Sequence, residues 1–256
     1  MSFATVPMTD LESLRTRIET IQSRRTRQTS VLPFGIPVLD SRLPEGGLAR
    51  GVLHEIAGGG RSGGDAPAAA LFVAGIAART KGKVLWCLTR PDLFAPALAQ
   101  AGLAPDRVIY VEAQDDKTVL ACMEEGLAHG GPVLVVGETA RLSMTASRRL
   151  NLAAEKTGAL AIVLRRWSRP NEAADFGRPT AAATRWRISA RPAAPLPAPG
   201  VGRARWHVEL LRCRGGEPAA YELEACDETG RLALPSDLPD RPAMPRPAHL
   251  NRRRAG

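Results

Sequence analysis

The amino-acid sequence predicts an α/β fold: a doubly wound, mostly parallel sheet with an antiparallel C-terminal extension. Three observations carry this. Between residues 50 and 165, short apolar runs alternate with helical stretches long enough for parallel crossovers. One run, PVLVV at 132–136, holds no polar residue, as a strand covered on both faces requires. After residue 184 the helical stretches stop, and three strand-like segments follow, separated by turns rich in Pro and Gly.

Three regions follow in order. Residues 1–30 form an N-terminal arm, with a helix over 9–27 that Thr9 or Asp10 would cap. Leu11, Leu14, Ile18 and Ile21 lie on one face of it, and Arg24, Arg25 and Arg27 suit the negative end of its dipole. Residues 31–234 form the core. Segment 31–49 is rich in turn formers, Arg50–Ala57 is a strand, and 58–64 (GGGRSGG) is a glycine-rich loop. Asp65 is expected as the N-cap of a buried helix reaching about Thr80. Strands at 83–89, 107–112, 132–136 and 159–165 alternate with helices at 93–101, 117–129 and 144–157. Segments 184–190, 204–213 and 219–225 read as the antiparallel strands. Residues 235–256 form a proline-rich, basic tail ending in NRRRAG, expected to be disordered.

Composition narrows the function. A net charge of +9 favours acidic partners, nucleic acid first among them. Cys87, Cys122, Cys213 and Cys226 have no C-x-x-C spacing, so neither a disulfide framework nor a zinc site is expected, and reduced thiols in the cytoplasm are the default. No apolar stretch is long enough to predict a membrane span, and residues 1–10 do not read as a signal peptide. His54 and His207 fall on strands and read as core or edge residues. No catalytic constellation stands out, so neither catalytic residues nor a metal site is expected.

A strand, a glycine-rich loop and a buried helix together describe a phosphate-binding loop. In the pattern G-x-x-x-x-G-K-[ST], amides cradle the phosphates, the lysine neutralises their charge and the hydroxyl holds magnesium. Gly58 and Gly63 have this spacing, but Gly64 and Asp65 replace the lysine and the hydroxyl. A carboxylate there would occupy the anion site from within. No bound nucleotide cofactor is therefore expected. Arg61 could restore some positive charge, and Glu138, one residue beyond the position expected for a magnesium-orienting acid, could compensate on the other side.

Residues 141–191 carry eleven Arg or Lys and three acids, with Trp167, Phe176 and Trp186 among them. Guanidiniums interleaved with aromatics suit single-stranded nucleic acid, whose bases stack and whose backbone is charged. Arg165, Arg166, Trp167, Arg169, Arg178, Arg185, Trp186 and Arg187 are the candidate contacts. The competing readings are core positions for the tryptophans and docking onto an acidic protein.

The lead-in FGIPVLDSRLPEGGLARGVLHEIAG resembles that of RecA-like cores, through Gly35, Leu39, Asp40, Gly46, Gly47, Leu48 and Gly51. The resemblance spans roughly 31–234, giving a RecA-like core with a degenerate phosphate loop. Where RecA has a catalytic Glu after the next strand, this chain has Arg90. The stretches RWSRPNEAADFGRPTAAATRWR and WHVELLRCRGG narrow the resemblance to the ImuA family. That family implies an accessory role, without catalysis, in SOS-induced translesion DNA synthesis and damage-induced mutagenesis. The partners it implies are a catalytically inactive, ImuB-like Y-family polymerase and an error-prone replicative-type polymerase; RecA and single-stranded DNA are further candidates. Localisation would be cytoplasmic, with nucleoid association as a further option. Partner contact is expected at Leu11, Leu14, Ile18 and Ile21, or at Arg252, Arg253 and Arg254. Two alternatives remain: a RecA-type ATPase using Arg61 and Glu138, and a SulA-like inhibitor of cell division or of a recombinase filament.

Overall fold

A computed structural model of the chain describes residues 30–60, 62–167, 170–194 and 200–235. The predicted arm helix and the basic tail lie outside the described residues.

The main sheet has eight strands. Six run parallel: β3 (Leu53–Gly58), β4 (Val84–Leu88), β5 (Val108–Glu112), β6 (Leu134–Thr139), β7 (Leu160–Arg165) and β8 (Thr184–Arg191). Two more, β9 (Arg205–Cys213) and β10 (Ala219–Glu224), add antiparallel at one edge. The order across the sheet is β10-β9-β8-β3-β7-β6-β4-β5. Ahead of β3, β1 (Val31–Leu32) and β2 (Leu48–Ala49) pair antiparallel, flanking the short helix α1 (Pro37–Asp40). This lead-in is closed by Asp40, whose carboxylate accepts the amides of Phe34 (2.7 Å) and Gly35 (2.8 Å).

Helices cover both faces. Helix α2 (Asp65–Ala78) and the short α3 (Ala95–Gln100) pack on one side, where Ile56, Phe72, Trp86, Val136, Ile162, Trp186 and Trp206 form the core. Helices α4 (Asp116–His129) and α5 (Met144–Thr157) cover the other side, over Leu53, Val119, Met123, Val135, Leu150 and Val163. Alternate residues of each strand therefore enter opposite cores, and the central strands β3, β6 and β7 are buried along their whole length. Asp115 and Ser143 cap α4 and α5 by accepting the amides of Thr118 and Ala146. Gly158 ends α5 in the left-handed conformation, at φ 73°.

One expectation about local structure is corrected. Asp65 is the first residue of α2 and not its cap; Gly64 takes the cap position and offers no side chain. Its carboxylate is drawn elsewhere by the tertiary structure.

Candidate functional site

The glycine-rich loop leaves β3 at Gly58 and returns into α2 at Asp65. The turn is tight: a Cβ on Gly58 would lie 2.8 Å from the backbone of Asp65. This close approach aims the loop over the C-terminal end of the sheet, where a doubly wound fold places its ligand site.

The Asp65 carboxylate, only 2% exposed, occupies this loop. It accepts the Ser62 amide at 3.0 Å and the Ser62 hydroxyl at 2.8 Å. It also accepts the amide of Ala190, on β8, at 2.9 Å. Its partners thus include an amide and a hydroxyl of the loop and the amide of a neighbouring strand. Asp65 ties the glycine-rich loop to the sheet. Arg61 lies outside the described residues.

Glu138, the next-to-last residue of β6, is committed. Its carboxylate accepts Trp86 Nε1 at 2.8 Å and Arg166 Nη1 at 2.6 Å. Burial pushes its pKa above the ordinary carboxylate value, against the opposing pull of Arg166 and Trp86. Arg166 also makes a two-pronged contact with Asp92, at 2.8 and 2.9 Å. That contact holds the Asp92 pKa below its usual value. Sequence reasoning missed Asp92; its two-pronged contact comes from a residue 74 positions away.

The basic, aromatic stretch is divided by the fold. Arg165 and Arg185 are not available to a nucleic acid strand, which corrects the expectation for both. They converge on Glu55 of β3, itself fully buried. Arg165 Nη1 reaches Glu55 Oε1 at 2.5 Å, and its Nη2 donates to Asp175 (2.7 Å) and to the Ala140 carbonyl (2.6 Å). Arg185 Nε donates to Glu55 Oε2 at 2.9 Å, and Thr180 donates to the same oxygen at 3.0 Å. The register places Glu55 opposite Arg185 across β3 and β8, so the cluster is built into the sheet. Trp186 is also corrected: it is a core residue, 0% exposed, packed against Phe34 and Phe72.

The remaining candidates scatter. Arg166 spends its charge on Asp92 and Glu138. Trp167 stands beside Phe176, ring centroids 6.0 Å apart. Phe176 in turn lies under the guanidiniums of Arg165, Arg185 and Arg187, each about 5–6 Å from its ring centre. Arg178 and Arg187 keep much of their side chains in solvent, and their nearest acids, Asp175 and Glu209, are 3.7 and 3.9 Å away. Arg169, and the partner-contact candidates Leu11, Leu14, Ile18, Ile21, Arg252, Arg253 and Arg254, lie outside the described residues.

His54 and His207, two of the four histidines, are structural. His54 is fully buried between the Thr184 hydroxyl (2.7 Å) and the Ala49 carbonyl (2.8 Å), and burial drops its pKa to about 4. His207 pairs with Glu222 across β9 and β10 at 2.7 Å. Among the described residues no group of three or more His, Cys, Asp or Glu could hold a metal ion. No described helix is long and apolar enough to cross a membrane.

Comparison with known proteins fits this architecture. A RadB recombinase crystal structure superposes with a TM-score of 0.53, covering 80% of this chain and all of the other at 21% identity, which establishes a shared, RecA-like fold. Residues 41–169 match the family model described as the MT3502 N-terminal domain. Protein ImuA from two strains of Caulobacter vibrioides is 41% identical over 207 residues, 77% of this chain and 84% of each relative. Sharing that identity across most of both chains, on a recombinase-like core, the protein belongs to the ImuA family.

Proposed function

We propose that the protein is a non-catalytic accessory subunit of damage-induced translesion synthesis, which binds a Y-family-like polymerase partner by means of a recombinase-shaped scaffold. Family membership supports the pathway. The single observation that carries the absence of catalysis is Asp65. Its carboxylate holds the loop amide of Ser62 and the strand amide of Ala190. A triphosphate would have to displace those contacts and sit beside a buried negative charge. There is also no lysine at position 64 to offset it.

Contact with single-stranded DNA falls to Arg178 and Arg187, because Arg165 and Arg185 are buried and ion-paired with Glu55. The accessory reading therefore rests on protein partners first and on nucleic acid second. Two measurements on the full chain test it. Titration with a fluorescent ATP analogue should show no saturable, magnesium-dependent binding. Affinity purification from DNA-damaged cells should recover a polymerase-like protein. Magnesium-dependent ATP turnover by the pure protein would overturn the proposal.

A further inference from the structure

Two cavities of about 430 and 510 Å³ adjoin at Met144, where helix α5 begins, and together form a groove between that helix and residues 178–181. Its floor is aliphatic: Leu142, Met144, Leu152 and Pro179. Leu152 is 58% exposed in mid-helix, although α5 buries its opposite face well. Such a residue at the mouth of a groove is uncovered apolar surface.

The rim is basic. Arg141 and Arg178 border one cavity, and Arg148 and Arg214 the other. Arg141 and Arg148 are exposed, and their guanidiniums donate to no group of the protein among the described residues. The carboxylate lining the groove, Asp175, is already held by Arg165 at 2.7 Å and by the Leu142 amide at 3.2 Å. No acid occurs in α5 before Glu155. The positive end of the α5 dipole borders both cavities and adds to the same sign.

The wall opposite α5 is held in place. Arg185 donates to the Arg178 carbonyl (2.7 Å), Arg212 to that of Thr180 (2.9 Å) and Arg214 to that of Ala181 (2.9 Å). The Ala181 amide donates to the Ser147 hydroxyl of α5 at 3.0 Å. A groove already rigid in the free protein loses little entropy when filled.

We propose that this groove docks an acidic, leucine-rich segment of a protein partner, with its aliphatic side chains on the Leu142–Met144–Leu152 floor and its carboxylates on Arg141, Arg148 and Arg178. The assignment deepens the accessory reading and rests on it for biological meaning. Charge complementarity requires an acidic occupant, and the floor decides its class. Nucleic acid on a single-strand platform stacks on aromatic rings, whereas Trp167 lies against Phe176 and Trp186 is buried in the opposite core. Aliphatic side chains with a charged rim match an amphipathic protein segment.

Fluorescence anisotropy on the full chain tests this. The probe is a labelled helical peptide with leucines along one face and glutamates flanking them. The controls are the same peptide with lysines for glutamates, and labelled oligothymidylate. The glutamate peptide should bind and the lysine peptide should not. The double variant Arg148→Glu/Arg178→Glu should weaken binding at least about tenfold. Leu152→Ser should weaken it severalfold, which an electrostatic attraction alone would not explain. Urea unfolding of each variant confirms that the fold is kept. Failure of the glutamate peptide to bind, or indifference to Leu152→Ser, overturns the assignment. So does capture of oligothymidylate by the same arginines without peptide binding, or a Leu152-dependent self-association in sedimentation. If the peptide fails while a polymerase-like protein still co-purifies and ATP is not turned over, the groove assignment falls and the accessory reading stands.

Discussion

Glu55→Gln should unfold the protein far more readily than its small change in shape suggests. Glu55 is fully buried and accepts from Arg165, Arg185 and Thr180 at 2.5 to 3.0 Å. The amide keeps the volume but removes the charge, and one of its two groups can no longer accept. Two guanidiniums then remain in the core, with Asp175 as their remaining carboxylate partner at the edge of the cluster. Breaking a buried pair on one side costs about 3–5 kcal/mol. Against a total stability of order 5–15 kcal/mol that is a large fraction. With a urea slope of about 2 kcal/mol/M, the midpoint should fall by roughly 1.5–2.5 M. The assay is equilibrium urea unfolding followed by tryptophan fluorescence, with Trp186 reporting from the adjoining position on β8. The double variant Glu55→Leu/Arg165→Met should recover part of the loss, because it removes acid and base together. A loss below about 1 kcal/mol for Glu55→Gln would refute the idea that these arginines are structural and reopen them as nucleic-acid contacts.

Four further outcomes are expected. Asp65→Ala strands the amides of Ser62 and Ala190 and should cost about 1–3 kcal/mol without creating ATP turnover; measurable hydrolysis in this variant would show that Asp65 had only been masking a competent site. Because burial lowers the folded-state pKa of His54 from 6.5 to about 4, the unfolded chain binds more protons between those values. Stability should therefore decline as pH falls from about 6.5 towards 4, by up to about 3 kcal/mol in total, and His54→Gln should flatten the slope of midpoint against pH between 6.5 and 5. Trp186→Ala should cost about 3–5 kcal/mol in chemical unfolding, as expected for a large side chain deleted from a packed core. Burial raises the thiol pKa of Cys87 to about 12, so this buried thiol should react with a thiol reagent at pH 8 only on unfolding; fast labelling of it in the native state would contradict its placement.

Much of the architecture was legible in the linear pattern. The run PVLVV reads as a strand covered on both sides, because it holds no polar residue to face water. The helix at 144–157 emerged with the same bounds that its pattern implied. The phosphate loop was equally plain, since glycine spacing is a local property and the substitution at position 65 is a single letter. What the letter did not disclose was the direction of the carboxylate. Capping statistics place an aspartate on its own helix, whereas the Ala190 amide that helps to hold it belongs to a strand 125 residues away.

The fold divides the aromatic-basic stretch for one physical reason. Counting charge along residues 141–191 measures density in sequence, and electrostatics acts in space. The acids that pair with Arg165, Arg166 and Arg185 include Glu55, Asp92 and Glu138, all outside that window. The sheet brings Glu55 to its arginines by laying β3 between β7 and β8. Sequence alone determined the parallel sheet, the glycine loop without its lysine and hydroxyl, and the family resemblance, because each is written in neighbouring residues. Only the tertiary structure decided which arginines are buried counter-ions and which remain for a partner, because that depends on distances between segments far apart in the chain.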